Sequence, residues 1–188
     1  ELREEHLLSL ADWQDTAELV ALAGGLRDRA HGSVVTYSRK VFIPLTQLCR
    51  DVCHYCTFAQ TPRKIEQAYM PVEDVIELCR QGEAMGCQEA LFTLGERPEL
   101  RYSAARKALR AMGFETTLEY VREVAAQVLS ETGLLPHINA GCMDEQEIAM
   151  LRPVSASMGI MLESASPRLC EKGMPHYGSP DKQPERRL

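Results

Sequence analysis

Residues 46–59 read TQLCRDVCHYCTFA and place Cys49, Cys53 and Cys56 within eight residues, in a C-x3-C-x2-C spacing. Directly before them runs VFIPLT (41–46), rich in β-branched and aromatic residues, which predicts a strand. The cysteines therefore sit on a loop that leaves the end of a strand and leads towards a helix. Thiolates at this spacing bind zinc or an iron–sulfur cluster, and three is one fewer than the usual four protein ligands.

Beyond that loop the pattern repeats in type. MPVEDVIELCRQGEAMG predicts a helix, with Pro71 near its start, a stripe of Val72, Val75, Ile76 and Cys79, and Gly86 as its stop. EALFTLG is a short apolar strand, YSAARKALRAMG a short helix, and TTLEYVREVAAQVLSETG a long one. In the long helix Thr116 and Glu119 stand at capping-box spacing, and Leu118, Val121, Ala125, Val128 and Leu129 form the stripe. LLPHINAG is a strand, and MDEQEIAMLRP a helix with a second box at Asp144 and Glu147. VSASMGIMLES is a strand, and SPRLCEKG opens a further helix with Pro167 in its first turn.

Strand and helix in alternation give a parallel sheet with right-handed crossovers. Four strands are expected, at 41–46, 89–94, 135–140 and 155–161. The fold class is α/β, either an open doubly wound sheet or part of a barrel. In both, sites gather at the C-terminal ends of the strands, which here are the loops 47–60, 95–99, 139–143 and 162–166. Residues 1–32 form a separate N-terminal helical segment, with Leu7, Leu10 and Trp13 and then Ala17, Leu19, Val20 and Leu22 at helical spacing; the sheet domain is 33–188. VVTYSRKVFIPLT (34–46) holds one or two strands. The final PERRL has the composition of a helix start, so further strands are expected after Leu188.

The 188 residues, 45% apolar and 26% charged, suit a globular domain. A formal charge of -6 argues against a nucleic-acid surface, and no run approaches the roughly 18 apolar residues of a membrane span. Seven cysteines without an export signal fit a reducing cytoplasm better than a disulfide framework. Cys79, Cys87, Cys142 and Cys170 stand singly and read as small apolar core residues.

The chemistry of the loop has three readings. In the first, zinc is closed by His54, or by the distant His31 or His137, and makes the chain a zinc-stabilised binding module. In the second, a four-iron cluster serves as an electron carrier. In the third, three cysteines leave one iron of such a cluster without a protein ligand, open to a small molecule. Outside the loop the readings are weaker. Gly95 and Glu96 in TLGERPE end the second strand and read either as cofactor contacts or as a solvated turn with a surface ion pair. Asn139 ends the third strand and either faces a ligand or caps the next turn. Glu163 and Ser164 close the fourth, and Glu163 is alternatively a helix-capping carboxylate. His137 reads as a structural histidine, Met158 and Met161 as core, and His176 and Tyr177 as part of a mobile loop, with substrate groups as the alternative.

The cysteine spacing, the aromatic Tyr55 before the last cysteine, the strand ahead and the βα series behind together resemble the radical S-adenosylmethionine (SAM) superfamily. Five segments sharpen the likeness: VVTYSRKVFIPLTQLCRDVCHYCTFA, EALFTLGERPE, TGLLPHINAG, SASMGIMLES and HYGSPDKQPERRL. In this order they resemble the ring-closing half of the FO synthase family, with other enzymes of the biotin synthase-like group as the alternative.

The resemblance implies a partial TIM-like (β/α)6 barrel with about four of its six βα units. It implies a 4Fe–4S cluster on Cys49, Cys53 and Cys56, and SAM near Tyr55, Gly95, Glu96, Asn139 and Glu163. The implied activity is lyase-type ring closure. A SAM-derived radical takes hydrogen from 5-amino-5-(4-hydroxybenzyl)-6-(D-ribitylimino)-dihydrouracil, the product cyclises and ammonia leaves, giving the deazaflavin of coenzyme factor-420. The implied partners are an electron donor such as ferredoxin or flavodoxin and the tyrosine-coupling half or subunit. Because the family's barrel has six strands, the resemblance also leads to the expectation that strand 155–161 exposes an edge. It further leads to the expectation that this segment alone binds a cluster poorly and does not turn over.

Overall fold

A computed structural model describes residues 3–188, apart from the side chains of Glu4 and Leu7; the Leu7 position of the N-terminal stripe thus lies outside the described residues. Two compact units are present, one up to Tyr37 and one over Ser38–Leu188.

The first unit is not one continuous helix. α1 (Glu4–Ser9) runs into a single 3-10 turn, and α2 (Thr16–His31) starts afresh. The restart has a local cause. The Asp15 carboxylate accepts the Glu18 amide at 3.0 Å, an N-cap inside the apolar repeat. Gly32, at φ 66°, ends α2. No side chain of α2 is buried, and Val20, Leu22 and Leu26 are exposed.

The second unit begins with β1 (Lys40–Ile43), followed by α3 (Val72–Ala84), β2 (Glu89–Thr93), α4 (Ser103–Ala111), α5 (Thr117–Glu131), β3 (Leu135–Asn139), α6 (Glu145–Leu151), β4 (Ser157–Met158) and a last short turn, α7 (Pro184–Arg187). The strands lie in the order β1-β2-β3-β4, all neighbours parallel, with Lys40 opposite Glu89, Glu89 opposite Leu135, and His137 opposite Ser157. Sequential parallel neighbours joined through helices are the units of a βα barrel.

Alternation along each strand decides the two faces. Val41, Ile43, Ala90, Phe92 and Ile138 are buried against Val75, Ile76 and Cys79 of α3 and Val121, Val124 and Val128 of α5. α3 packs closely because residue 82 is glycine: a Cβ there would stand 2.8 Å from Val41 Cβ. Lys40, Phe42 and Leu135 face the other way and are exposed, with a Lys40–Glu89 ion pair on that face. Both capping boxes form, Thr116 with Glu119 and Asp144 with Glu147.

Several expectations need correction. Residues 34–39 form no strand, and β1 is Lys40–Ile43. The fourth strand is two residues long, not the seven of 155–161. One further bond, Gly159 N–H to Ile138 O at 3.0 Å, follows before the backbone departs, so the exposed edge is short. Residues Pro167–Cys170 make a 3-10 turn rather than a helix. Leu129 and Met161 are exposed, Met161 at 59%, whereas Met158 packs against the core. Cys79 and Cys142 are buried, but Cys87 and Cys170 only partly.

Candidate functional site

The cysteine loop is closed at its base. Leu48 is fully buried and bridges Gln60, and the Gln60 amide donates to Gln47 O at 2.8 Å. Between these ends the Cys56 amide donates to Cys53 O at 3.1 Å, turning the chain so that the second and third cysteines stand together. The Arg101 guanidinium donates to Arg50 O at 3.0 Å and holds the loop's outer side.

The loop after β2 presses directly on it. Gly95 N–H donates to Thr46 O at 2.9 Å, and Arg50 N–H to Glu96 O at 2.7 Å. Any side chain at residue 95 is excluded, because a Cβ there would fall 1.8 Å from the Leu48 carbonyl oxygen. Gly95 is thus a position at which the two backbones pass in direct contact.

A cavity of about 180 Å³ opens between these loops. Cys49, Cys53, Cys56, Tyr55, Gly95, Glu96 and Glu163 all line it, together with Asp51, Phe58 and Lys182. Asn139 does not; it stands at the end of β3, opposite Thr93. Of the histidines considered for zinc, His137 bonds through Nδ1 to Ser157 Oγ at 2.6 Å, and His54, within the loop, has its Nε2 3.2 Å from Tyr177 O.

Each cysteine sulfur has a hydrogen-bond partner. Glu96 N–H donates to Cys49 Sγ at 3.3 Å, Ala59 N–H donates to Cys56 Sγ at 3.4 Å, and Ser179 Oγ lies 3.5 Å from Cys53 Sγ. Burial pushes the Cys49 thiol up to about 11 and raises Cys53, so protons stay on these sulfurs unless positive charge arrives nearby. A thiophilic metal centre would supply that charge.

Among the described residues no three His, Cys, Asp or Glu side chains are grouped around a point where one metal ion would sit. A cluster makes no such demand, since each cysteine binds a different iron. Three thiols lining one cavity, each already hydrogen bonded at sulfur, therefore fit a cubane cluster better than a closed single-ion site.

The charged groups form a shell. Glu96 is buried, accepts the Cys142 amide at 2.6 Å and is paired with the equally buried Arg187 at 2.8 Å, so it is not a solvated turn. Burial raises its carboxyl above the ordinary range, while the Cys142 amide and Arg187 act against the rise. Glu163 adopts φ 66°, rare for a non-glycine residue, and takes Lys182 Nζ at 2.7 Å rather than a helix end. That bond holds its carboxyl below the usual range.

Residues 174–188 supply most of what sequence reasoning had not found. His54 N–H donates to Pro175 O, Tyr55 OH lies 3.0 Å from His176 Nε2, and Asp181 N–H donates to Asp51 Oδ1 at 3.1 Å. His176 is 4% exposed and belongs to this ordered strap, not to a loose loop.

The comparisons agree with this geometry. The profile of the Radical SAM superfamily matches residues 43–181. The chain is 48% identical over 200 residues to FO synthase of Mycobacterium tuberculosis, covering 98% of this chain and 23% of that protein. It is 45% identical over 155 residues to 7,8-didemethyl-8-hydroxy-5-deazariboflavin synthase of Methanopyrus kandleri, covering 82% and 46%. The chain thus spans about a quarter of the length of the first relative and under half of the second. In fold it is similar to the FeFe-hydrogenase maturase HydG from Carboxydothermus hydrogenoformans, with a TM-score of 0.64 at 18% identity, covering 87% of this chain and 34% of that one. Among the described residues no helix is long and apolar enough to cross a membrane.

Proposed function

This chain belongs to the radical SAM superfamily, whose members use a 4Fe–4S cluster and S-adenosylmethionine, and from that premise we propose that it carries the cofactor-binding part of an FO synthase. The observation that carries the reading is the single cavity lined by three cysteine thiols together with Tyr55, Gly95, Glu96 and Glu163. Cys49, Cys53 and Cys56 would hold the cluster. When bound, cluster and SAM supply a one-electron cleavage that yields a hydrogen-abstracting radical.

The rest falls to the polypeptide. Gly95 keeps the backbone of the second loop against the first, so the cavity's depth is set by main chain rather than by mobile side chains. Phe58 and Tyr55 give the cavity apolar wall, which limits water around a reactive species. Glu96 is immobilised by Arg187 and the Cys142 amide, and it offers fixed negative charge near the cavity. Glu163 and Lys182 form an ion pair at the rim whose two members offer opposite charges to a zwitterionic amino acid group.

The substrate in this proposal is 5-amino-5-(4-hydroxybenzyl)-6-(D-ribitylimino)-dihydrouracil, and the product, after cyclisation and loss of ammonia, is the deazaflavin of coenzyme factor-420. The names of the two relatives support the product; the substrate and the ring closure rest on the family resemblance. An external electron donor of ferredoxin or flavodoxin type and a tyrosine-coupling half complete the proposed activity.

Because the segment 1–188 alone is proposed to bind a cluster poorly and not to turn over, the test is anaerobic reconstitution of the full-length protein followed by incubation with SAM, reductant and the dihydrouracil. Iron and sulfide uptake, release of 5′-deoxyadenosine and formation of the fluorescent deazaflavin are expected together. Serine at Cys49, Cys53 or Cys56 should abolish all three. Zinc as the sole metal, or turnover with all three thiols removed, would overturn the reading.

A further inference from the structure

The three cavity sulfurs are not served by the same kind of donor. Cys49 and Cys56 accept from backbone amides, of Glu96 and Ala59. Cys53 is met by a side chain, Ser179 Oγ at 3.5 Å, from 126 residues away in the chain.

Ser179 is placed with care. It is 2% exposed, its amide donates to His176 O at 3.0 Å, and its carbonyl accepts from Lys182 N–H at 3.2 Å. Gly178 precedes it at φ 82°, where a Cβ would come within 2.9 Å of Val52 Cγ2, so the strap lies flat on the cysteine loop. The Val52 amide donates into Ser179 Oγ at 3.0 Å. That bond uses the oxygen as acceptor and leaves its one proton free. A thiolate can only accept, so with Cys53 ionised the hydroxyl proton is directed to sulfur.

We propose that Ser179 is a positioning residue that donates a hydrogen bond to the Cys53 thiolate and thereby raises the reduction potential of the cluster. The inference rests on the cluster-binding reading above. Reduction by one external electron adds negative charge to the cluster and its sulfurs. A donor aimed at one sulfur stabilises that richer state more than the oxidised one, and no proton is transferred. Of the three sulfur contacts it is the one that a substitution can remove while every backbone donor stays in place.

The experiment is a redox titration of the anaerobically loaded full-length protein, followed by EPR of the reduced cluster, for the wild type and for Ser179→Ala, Ser179→Thr and Ser179→Cys. Ser179→Ala should hold wild-type iron and sulfide and show a more negative midpoint. Ser179→Thr, which keeps the hydroxyl, should restore it, and Ser179→Cys, a weaker donor of similar size, should fall between. A loaded Ser179→Ala with an unchanged midpoint, or a shift that Ser179→Thr fails to restore, would overturn the proposal. If Ser179→Ala loses its cluster, Ser179→Cys decides: a lowered midpoint supports the proposal and an unchanged one refutes it. A wild-type protein that takes up no cluster would instead refute the cluster-binding reading, independently of the serine.

Discussion

Arg187 and Glu96 form a buried ion pair that ties the end of the C-terminal strap to the loop after β2, with Nη2 2.8 Å from Oε2 and both side chains under 10% exposed. The same guanidinium also donates to Asp181 O at 2.8 Å and Met161 O at 2.6 Å. Three segments distant in sequence thus meet on one side chain.

Removing that side chain leaves Glu96 buried without its cation. Arg187→Met is expected to destabilise the domain by about 3–5 kcal/mol, the range for breaking a buried pair. Urea unfolding measures it, and a loss under about 1 kcal/mol would show the pair to be dispensable.

Gly95→Ala is a second, purely steric case. A Cβ 1.8 Å from Leu48 O cannot be accommodated unless one of the two loops moves. The expected cost is about 1–3 kcal/mol or more, with a clear drop in iron bound per chain. Wild-type iron content in this variant would contradict the account of the loop contact.

A third prediction concerns pH. Burial, with Lys182 next in weight, holds His176 below its ordinary value, so its neutral ring accepts from Tyr55 OH. A depressed histidine contributes stability that is fully present above the unfolded value of roughly 6.5 and is lost as pH falls through the folded value. The urea midpoint of the metal-free protein should therefore fall more between pH 7.5 and pH 5 in the wild type than in His176→Asn. Equal falls would remove His176 from the account.

Tyr69, Thr117 and Glu99 form a buried chain at the other side of the β2 loop, with Tyr69 OH 2.7 Å from Thr117 Oγ1 and that hydroxyl 2.6 Å from Glu99 Oε2. Thr117→Val takes the hydroxyl from both neighbours, leaving Glu99 the residue-117 amide at 3.3 Å, and should cost about 1–3 kcal/mol. Thr117→Ser should recover most of it, as read by thermal or urea unfolding.

What the sequence revealed beforehand was what short-range chemistry determines. Asp144 and Glu147 are three residues apart, so their box follows from neighbours alone, and the 3.6-residue stripes of α3 and α5 are equally local. The cysteine loop was legible because spacing itself carries metal chemistry. The fourth strand was misjudged because SASMGIMLES has strand composition, while pairing is decided by β3 and ends just past Met158. The helix expected at Pro167 has a good first turn, but no apolar stripe follows to bury. Least legible was the strap: Ser179 reaches Cys53 over 126 positions and Arg187 reaches Glu96 over 91. No periodicity within residues 174–188 points to either.

The central claim is that three cysteines hold a cluster whose remaining iron is left to SAM. Mössbauer spectroscopy of the iron-57-loaded full-length protein, with and without SAM, tests it most directly. The account predicts that about one iron in four changes its isomer shift when SAM is added, because one iron lacks a cysteine. Four irons that stay equivalent in both samples would contradict it.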